Sequence, residues 1–178
     1  MTVGTAETRL VILRGNSASG KSAVAAEMRE RFGPGLALVA QDNLRRVVLH
    51  EPDAPGGANI GLIDTVARYA LDAGYHVVLE GILSAARYGP MLGRLHRDHR
   101  GLTHLYYLDV PFAETLRRHA SKPQPSEYGE AELRAWYQPL DLLRGDTETV
   151  IGADSLRTET ADRILRDTGL SSLPTLHR

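Results

Sequence analysis

Apolar residues along this chain gather into short runs of strand length, at 9–14, 36–40, 76–79, 103–108 and 149–151, each nearly continuous rather than alternating. A strand that is apolar on both sides is buried on both faces, so the pattern predicts a parallel sheet with helices packed on each side. The intervening segments supply such helices. Residues 22–32 are rich in Ala, Glu, Met and Arg, which favour helix. Ile60, Ile63, Ala67, Ala70 and Leu71 recur three and four apart until Gly74, which suits a C-terminal helix cap. The turn-rich stretches 51–58 and 121–129 read as loops too short to link domains, and 178 residues fit one domain spanning 1–178. In open α/β sheets ligands bind beyond the carboxyl ends of the strands. Four of the runs lead into Gly15, Asp42, Glu80 and Asp109, which marks those positions for chemistry.

The first of these ends carries a specific pattern. Gly15-Asn16-Ser17-Ala18-Ser19-Gly20-Lys21-Ser22 fits G-x-x-x-x-G-K-[ST] without a mismatch, between a strand-length run and a helical one, as a phosphate-binding loop requires. Glycine allows the positive φ angles of such a loop and leaves no Cβ between backbone amides and phosphate oxygens. The helix opening near Lys21 adds its positive dipole end. In that frame residues 15–22 cradle a nucleotide, Lys21 reaches its β- and γ-phosphates, and the Ser22 hydroxyl ligates Mg²⁺. Lysine is rare here: among 21 Lys and Arg residues only Lys21 and Lys122 are lysine.

Composition narrows the classes. A formal net charge of −1 provides no basic footprint, so no nucleic-acid partner is expected. Cysteine is absent, which excludes disulfides and thiolate metal sites. No apolar run is long enough to span a bilayer, and the N-terminus lacks the basic start and apolar centre of a leader, so a cytoplasmic protein without membrane attachment is expected.

Beyond the glycine loop, the segments Gln41-Asp-Asn-Leu-Arg-Arg46, Leu79-Glu-Gly-Ile82 and Tyr107-Leu-Asp-Val-Pro111 resemble the small P-loop kinases of adenylate- and shikimate-kinase architecture. Chloramphenicol phosphotransferase, zeta-type toxins and tunicamycin-resistance-type ATP-binding proteins are relatives within that group. The resemblance implies a P-loop NTPase fold: a five-stranded parallel sheet, helices on both faces and a small lid at about 117–135. It implies ATP with Mg²⁺ and transfer of the γ-phosphoryl group to a hydroxyl of a small molecule. An antibiotic or nucleoside-like natural product is the first acceptor class. A metabolic nucleoside, nucleotide or UDP-sugar kinase is the alternative, and a non-catalytic ATP-binding module is the rival from another class.

The same resemblance assigns roles. Asp42 matches the general base that takes the acceptor's proton, although Asp before a helix also reads as an N-cap. Glu80 matches the acid that holds Mg²⁺ or contacts the acceptor. Arg118 matches a lid arginine on the phosphates, with Arg117 facing nucleotide or solvent and Lys122 in the lid. Arg45 and Arg46 can hold an acceptor by bidentate bonds, but neighbours on a helix point about 100° apart, so only one is expected to face the site. Arg87 and Tyr88 either line the acceptor pocket or serve as a surface arginine and a packed tyrosine. Gly81 is expected to keep the backbone low beside the ligand. His96 and His99 read as surface histidines, and Trp136 and Tyr137 as packing residues of core or lid.

Overall fold

The computed structural model describes residues 2–121, 128–145 and 148–174. The five runs form strands β1 (Arg9–Gly15), β2 (Leu36–Ala40), β3 (His76–Gly81), β4 (Leu102–Asp109) and β5 (Glu148–Gly152). All pairings are parallel and the strand order is β2-β3-β1-β4-β5. The chain thus has the five-stranded parallel sheet that its hydrophobic pattern and its resemblance implied.

β1 lies at the centre and shows how both faces are filled. Leu10 and Ile12 pack among side chains of helices α2 (Ala58–Asp72) and α3 (Ala85–Asp98), including Ile63, Leu71, Leu92 and Leu95. Val11 and Leu13 point the other way, into Val24 and Met28 of α1 (Lys21–Phe32) and Ile164 and Leu165 of α6 (Arg157–Asp167). The alternation is the strand's period of two, and every one of these four β1 residues is excluded from solvent. Two shorter helices, α4 (Phe112–Ala120) and α5 (Glu130–Trp136), lie between β4 and β5 in sequence. Among the described residues no helix is long and apolar enough to cross a membrane.

Gly74, at φ 84°, follows α2 as the predicted cap. The segment after β2 departs from expectation, because residues Asn43–Val48 form a π-helix, with wider turns than an α-helix. Single π turns recur at functional sites, where they re-aim side chains.

His99 also differs from the sequence reading: it is buried, not a surface residue. Its Nε2 lies 2.9 Å from the Thr8 hydroxyl and its Nδ1 2.9 Å from that of Thr103. The Thr8 hydroxyl donates to the Thr5 carbonyl at 2.8 Å, so its proton is committed and the His99 Nε2 carries the hydrogen toward it. This ties the N-terminal segment to the end of α3, beside the Val3 bridge to His99. Burial, with smaller contributions from Arg9 and His96, pushes the His99 imidazole down to about 4. Burial also lowers His76 and His104.

A folded-state value below the unfolded 6.5 means that protons bind preferentially to the unfolded chain. Unfolding free energy from this source is therefore complete above pH 6.5 and declines as pH falls toward 4. In urea titrations across that range, His99→Gln is expected to reduce the pH slope by about one proton while the residual slope from His76 and His104 persists. An unchanged slope would show that His99 does not titrate between the two states.

Candidate active site

The glycine loop leaves β1 at Gly15, whose φ of 147° lies in the range L side chains rarely adopt. A Cβ there would stand 2.7 Å from the Leu108 carbonyl, so glycine is required by close approach to β4 as well as by backbone angle. Lys21 begins α1 and is buried, its Nζ donating to the Asn16 carbonyl at 2.7 Å and to Ser19 Oγ at 3.3 Å. The ammonium is therefore folded back over the loop that the motif predicts it to serve.

Ser22 and Glu80 meet across the sheet edge. The Ser22 hydroxyl donates to the Glu80 carboxylate at 3.1 and 3.2 Å. Glu80 is buried, and burial raises its pKa; Lys21 and Ser22 oppose the rise and Asp42 adds to it. A hydroxyl and a desolvated carboxylate beside a glycine loop fit a divalent cation, which would supply the positive charge that this acid lacks. Gly81 is required for a reason other than the expected one. Its Cβ would collide with the Gln41 side chain at 2.4 Å, so it makes room for Gln41 rather than for a ligand.

Asp42 lies past the end of β2 with its carboxylate exposed. It is not a helix cap: its backbone is already helical, at φ −64° and ψ −35°, and its side chain makes no capping bond. Instead it pairs with Arg45 at 3.1 Å and Arg46 at 3.4 Å. Both arginines reach the site, contrary to the expectation that only one would. Their Cα directions diverge, but each guanidinium sits on a long arm and converges on the same carboxylate. Arg45 is braced by the Glu51 carbonyl at 3.0 Å, and the Arg46 guanidinium lies 5.5 Å from the Tyr128 ring centre. Arg87 pairs with Asp53 at 2.7 Å. Tyr88 is fully buried; its hydroxyl accepts from Gln41 Nε2 at 2.7 Å and lies 2.7 Å from Asp53 Oδ1, so it supports Asp53 from beneath.

On the opposite side of the loop, Arg118 donates to the Ser19 carbonyl at 3.1 Å, the Ala153 carbonyl at 3.1 Å and Glu114 at 2.7 Å. Glu114 is held down to about 2 by Arg117 first and by Arg118. Arg117 points to solvent and pairs with Glu114 at 2.7 Å, so of its two expected faces it takes the solvent one. The expected lid, 117–135, includes the end of α4 and most of α5; residues 122–127, and with them Lys122, lie outside the described residues.

These groups separate into two cavities that share the glycine loop. One, of about 220 Å³, lies between Ser19, Gly20, Arg118, Gly152 and Ser155. The other, of about 540 Å³, touches Gly15, Asn16 and Ser17 and is walled by Asp42, Arg45, Arg46, Arg87, Ser84 and Trp136. A more open groove of about 700 Å³ lies at the far end of α1, against Arg29, Pro34 and Tyr75, away from all of this chemistry. Among the described residues, no three or more His, Asp or Glu side chains gather as a metal site.

Three residues acquire roles the sequence did not reveal. Arg14 is in phase with Leu10 and Ile12 and is wholly buried, donating to the Leu83 carbonyl at 2.9 Å, to both Glu148 oxygens at 2.9 Å and to Asp141 at 3.1 Å. Asn16 grips the backbone of Gln138 from both sides, accepting from its N–H at 2.9 Å and donating to its carbonyl at 2.8 Å. Trp136 does not enter the core: it is 42% exposed on the larger cavity, edge-on to Tyr128. Tyr137 does pack as expected, against Phe112, with its hydroxyl donating to the Val110 carbonyl at 3.0 Å. The only local signal for Arg14 was an arginine closing an apolar run; its acidic partners lie over 120 residues away in sequence.

No protein-family model and no curated protein sequence matches this chain. Solved structures do match it along nearly its whole length. The APS kinase of Mycobacterium tuberculosis, in complex with AMPPNP and APS, is 19% identical, with a TM-score of 0.66 over 97% of this chain and 100% of that one. A sugar kinase from a Janibacter species is 16% identical, with a TM-score of 0.69 over 96% and 99%. The tunicamycin resistance protein of Deinococcus radiodurans is 18% identical, with a TM-score of 0.62 over 92% and 96%. The fold is that of the small P-loop kinases.

Breaking the buried Arg14 cluster from one side should be costly. Arg14→Met leaves Glu148 and Asp141 without their cation and is expected to lower unfolding free energy by about 3–5 kcal/mol, measured by urea denaturation. Adding Glu148→Gln should recover part of the loss. A fall below about 1 kcal/mol in the single variant would contradict the assignment of this pair as a buried, mutually dependent one.

Proposed function

We propose that this protein is an ATP-dependent phosphotransferase that moves the γ-phosphoryl group to a hydroxyl of a small molecule. The observation that carries the reading is the pair of cavities on either side of one glycine loop, with a carboxylate, Asp42, at the mouth of the larger. Phosphoryl transfer needs a donor and an acceptor held in line across a phosphate cradle, and little covalent help from the protein.

In this reading residues 15–22 bind the phosphates, Lys21 neutralises the β- and γ-oxygens, and the nucleotide extends toward Arg118 and the turn at Gly152. Ser22 and Glu80 would hold Mg²⁺, which would supply positive charge against the negative charge that develops on the transferring phosphoryl group. Arg118, held on the Ser19 carbonyl at 3.1 Å, serves in this reading as the lid arginine on the phosphates. The acceptor occupies the larger cavity, bounded by Arg45, Arg46 and Arg87, and Asp42 orients its hydroxyl and takes the proton as the new bond forms. Arg45 and Arg46 set the direction of the Asp42 carboxylate. The presence of that carboxylate beside the loop favours transfer over a module that merely binds ATP. A natural product of antibiotic or nucleoside-like type is the acceptor class we favour, a choice supported by the likeness to the tunicamycin resistance protein.

Lys21→Ala is expected to abolish transfer and weaken nucleotide binding with the fold retained, as checked by calorimetric titration with ATP and Mg²⁺ beside circular dichroism. Unchanged affinity would remove the phosphate-loop assignment. Asp42→Asn should keep ATP affinity and lose about two to four orders of magnitude in turnover. Its stability should fall by no more than about 1 kcal/mol, because Asp42 itself is exposed and the Asn carbonyl can still accept from Arg45. Steady-state kinetics at saturating acceptor separates the roles: a drop in kcat marks a base, whereas a rise confined to the acceptor's KM marks a holding group.

A further inference from the structure

The charges around the larger cavity are already matched before any acceptor enters. Asp42 faces Arg45 and Arg46 at 3.1 and 3.4 Å, Asp53 faces Arg87 at 2.7 Å, and Asp141 and Glu148 face Arg14 at 3.1 and 2.9 Å. Among the described residues four guanidinium groups thus meet four carboxylates. Three arginines in a cleft would ordinarily read as an anion site. Here each of them already has an acid. An acceptor bearing a phosphate or carboxylate would bring negative charge beside Asp42 and the γ-phosphate and would have to draw a guanidinium out of an existing pair, Arg45 and Arg46 sharing Asp42.

What the cleft lacks is hydrogen-bond partners. Arg45 Nε and Ser84 Oγ are both shielded from solvent and neither has a partner in the protein, although both residues line the cavity. Ser84 precedes α3 without making a capping bond: the Ala85 N–H goes to Asp141 at 2.8 Å and the Arg87 N–H to the Ser84 carbonyl at 3.1 Å. A hydroxyl can accept from an Arg N–H and either accept from or donate to a serine, so one neutral hydroxylated ligand satisfies both. The same cavity offers the half-exposed Trp136 indole, an apolar face for a ring.

We infer that the acceptor is an uncharged, polyhydroxylated ring compound, of the class of free glycosides and nucleosides, and not a nucleotide, sugar phosphate or other anion. This rests on the kinase reading above and selects among its acceptors. The ring lies against Trp136, with its hydroxyls on Arg45 Nε and Ser84 Oγ. One further hydroxyl attacks the γ-phosphorus; the bond from that phosphorus to the β,γ-bridging oxygen breaks, ADP leaves, and the hydroxyl proton passes to Asp42.

Trp136 is the sole tryptophan, so its fluorescence reports occupancy of the cleft. Protein loaded with AMPPNP and Mg²⁺ would be titrated with matched probes: uridine against uridine 5′-monophosphate, and methyl glucoside against glucose 6-phosphate. Transfer from ATP to each would be followed by the mass gain of one phosphoryl group. The expected result is saturable binding and transfer with at least one neutral probe, preferred over its phosphorylated partner by about tenfold or more in kcat/KM. For that probe, Arg45→Lys, which keeps the charge but loses Nε, and Ser84→Ala should each raise the acceptor KM by about three- to tenfold. The KM for ATP should stay unchanged. Preference for the phosphorylated member, or ATP binding with no response to either neutral probe, overturns the inference. Failure to bind AMPPNP at all falls instead on the kinase reading.

Discussion

A wholly buried guanidinium, that of Arg14, constrains the end of the sheet where the chemistry is placed. A charge excluded from solvent must be met by opposite charge and by hydrogen bonds on its remaining donors, or it destabilises the fold. Here the acids come from Asp141 and Glu148, far along the chain, and the carbonyl from Leu83 at the end of the third strand region. The stretch following α5 is thereby drawn back to the mouth of the sheet. Asn16 fastens it again through Gln138, one residue into the glycine loop. Trp136, the last residue of α5 and just before this anchored stretch, ends up as a wall of the larger cavity.

That arrangement links the glycine loop to the larger cavity through polar contacts rather than through the apolar core. Asn16 belongs to the loop and grips the cavity wall; Ser17 belongs to the loop and lies 3.3 Å from the Tyr128 hydroxyl. Tyr128 in turn lies beneath Arg46, which pairs with Asp42. The loop thus contacts the larger cavity's wall at Gln138 and at Tyr128. In the proposed reaction this coupling places the attacking hydroxyl relative to the phosphate, the kind of alignment on which in-line transfer depends.

The electrostatics of the two sides differ. Around Glu80 burial dominates, raising its pKa against the opposing pull of Lys21 and Ser22, and in the proposed reaction a cation would offset that buried charge. Around Asp42 the carboxylate is exposed and already matched by arginine, so what it can offer is direction and a proton-accepting oxygen. The two acids at neighbouring strand ends are alike in type and different in environment, which is why they suit different tasks.

Much of this was legible in the chain itself. Five apolar runs, a glycine loop and helical spacing determined a parallel sheet with a phosphate cradle at its carboxyl edge, because strand period, glycine backbone freedom and helix termini are local properties. The positions of Lys21, Ser22, Asp42 and Glu80 followed from the same local logic. The tertiary structure alone decided that Arg14 is buried, that Arg45 and Arg46 converge on one acid, that Gly81 yields to Gln41, that His99 is enclosed by Thr8 and Thr103, and that Trp136 faces a cavity. Each of these depends on partners distant in sequence or on the reach of a long side chain. Burial, charge pairing and side-chain direction are set by what the fold brings alongside a residue, and the hydrophobic pattern around that residue carries no record of it.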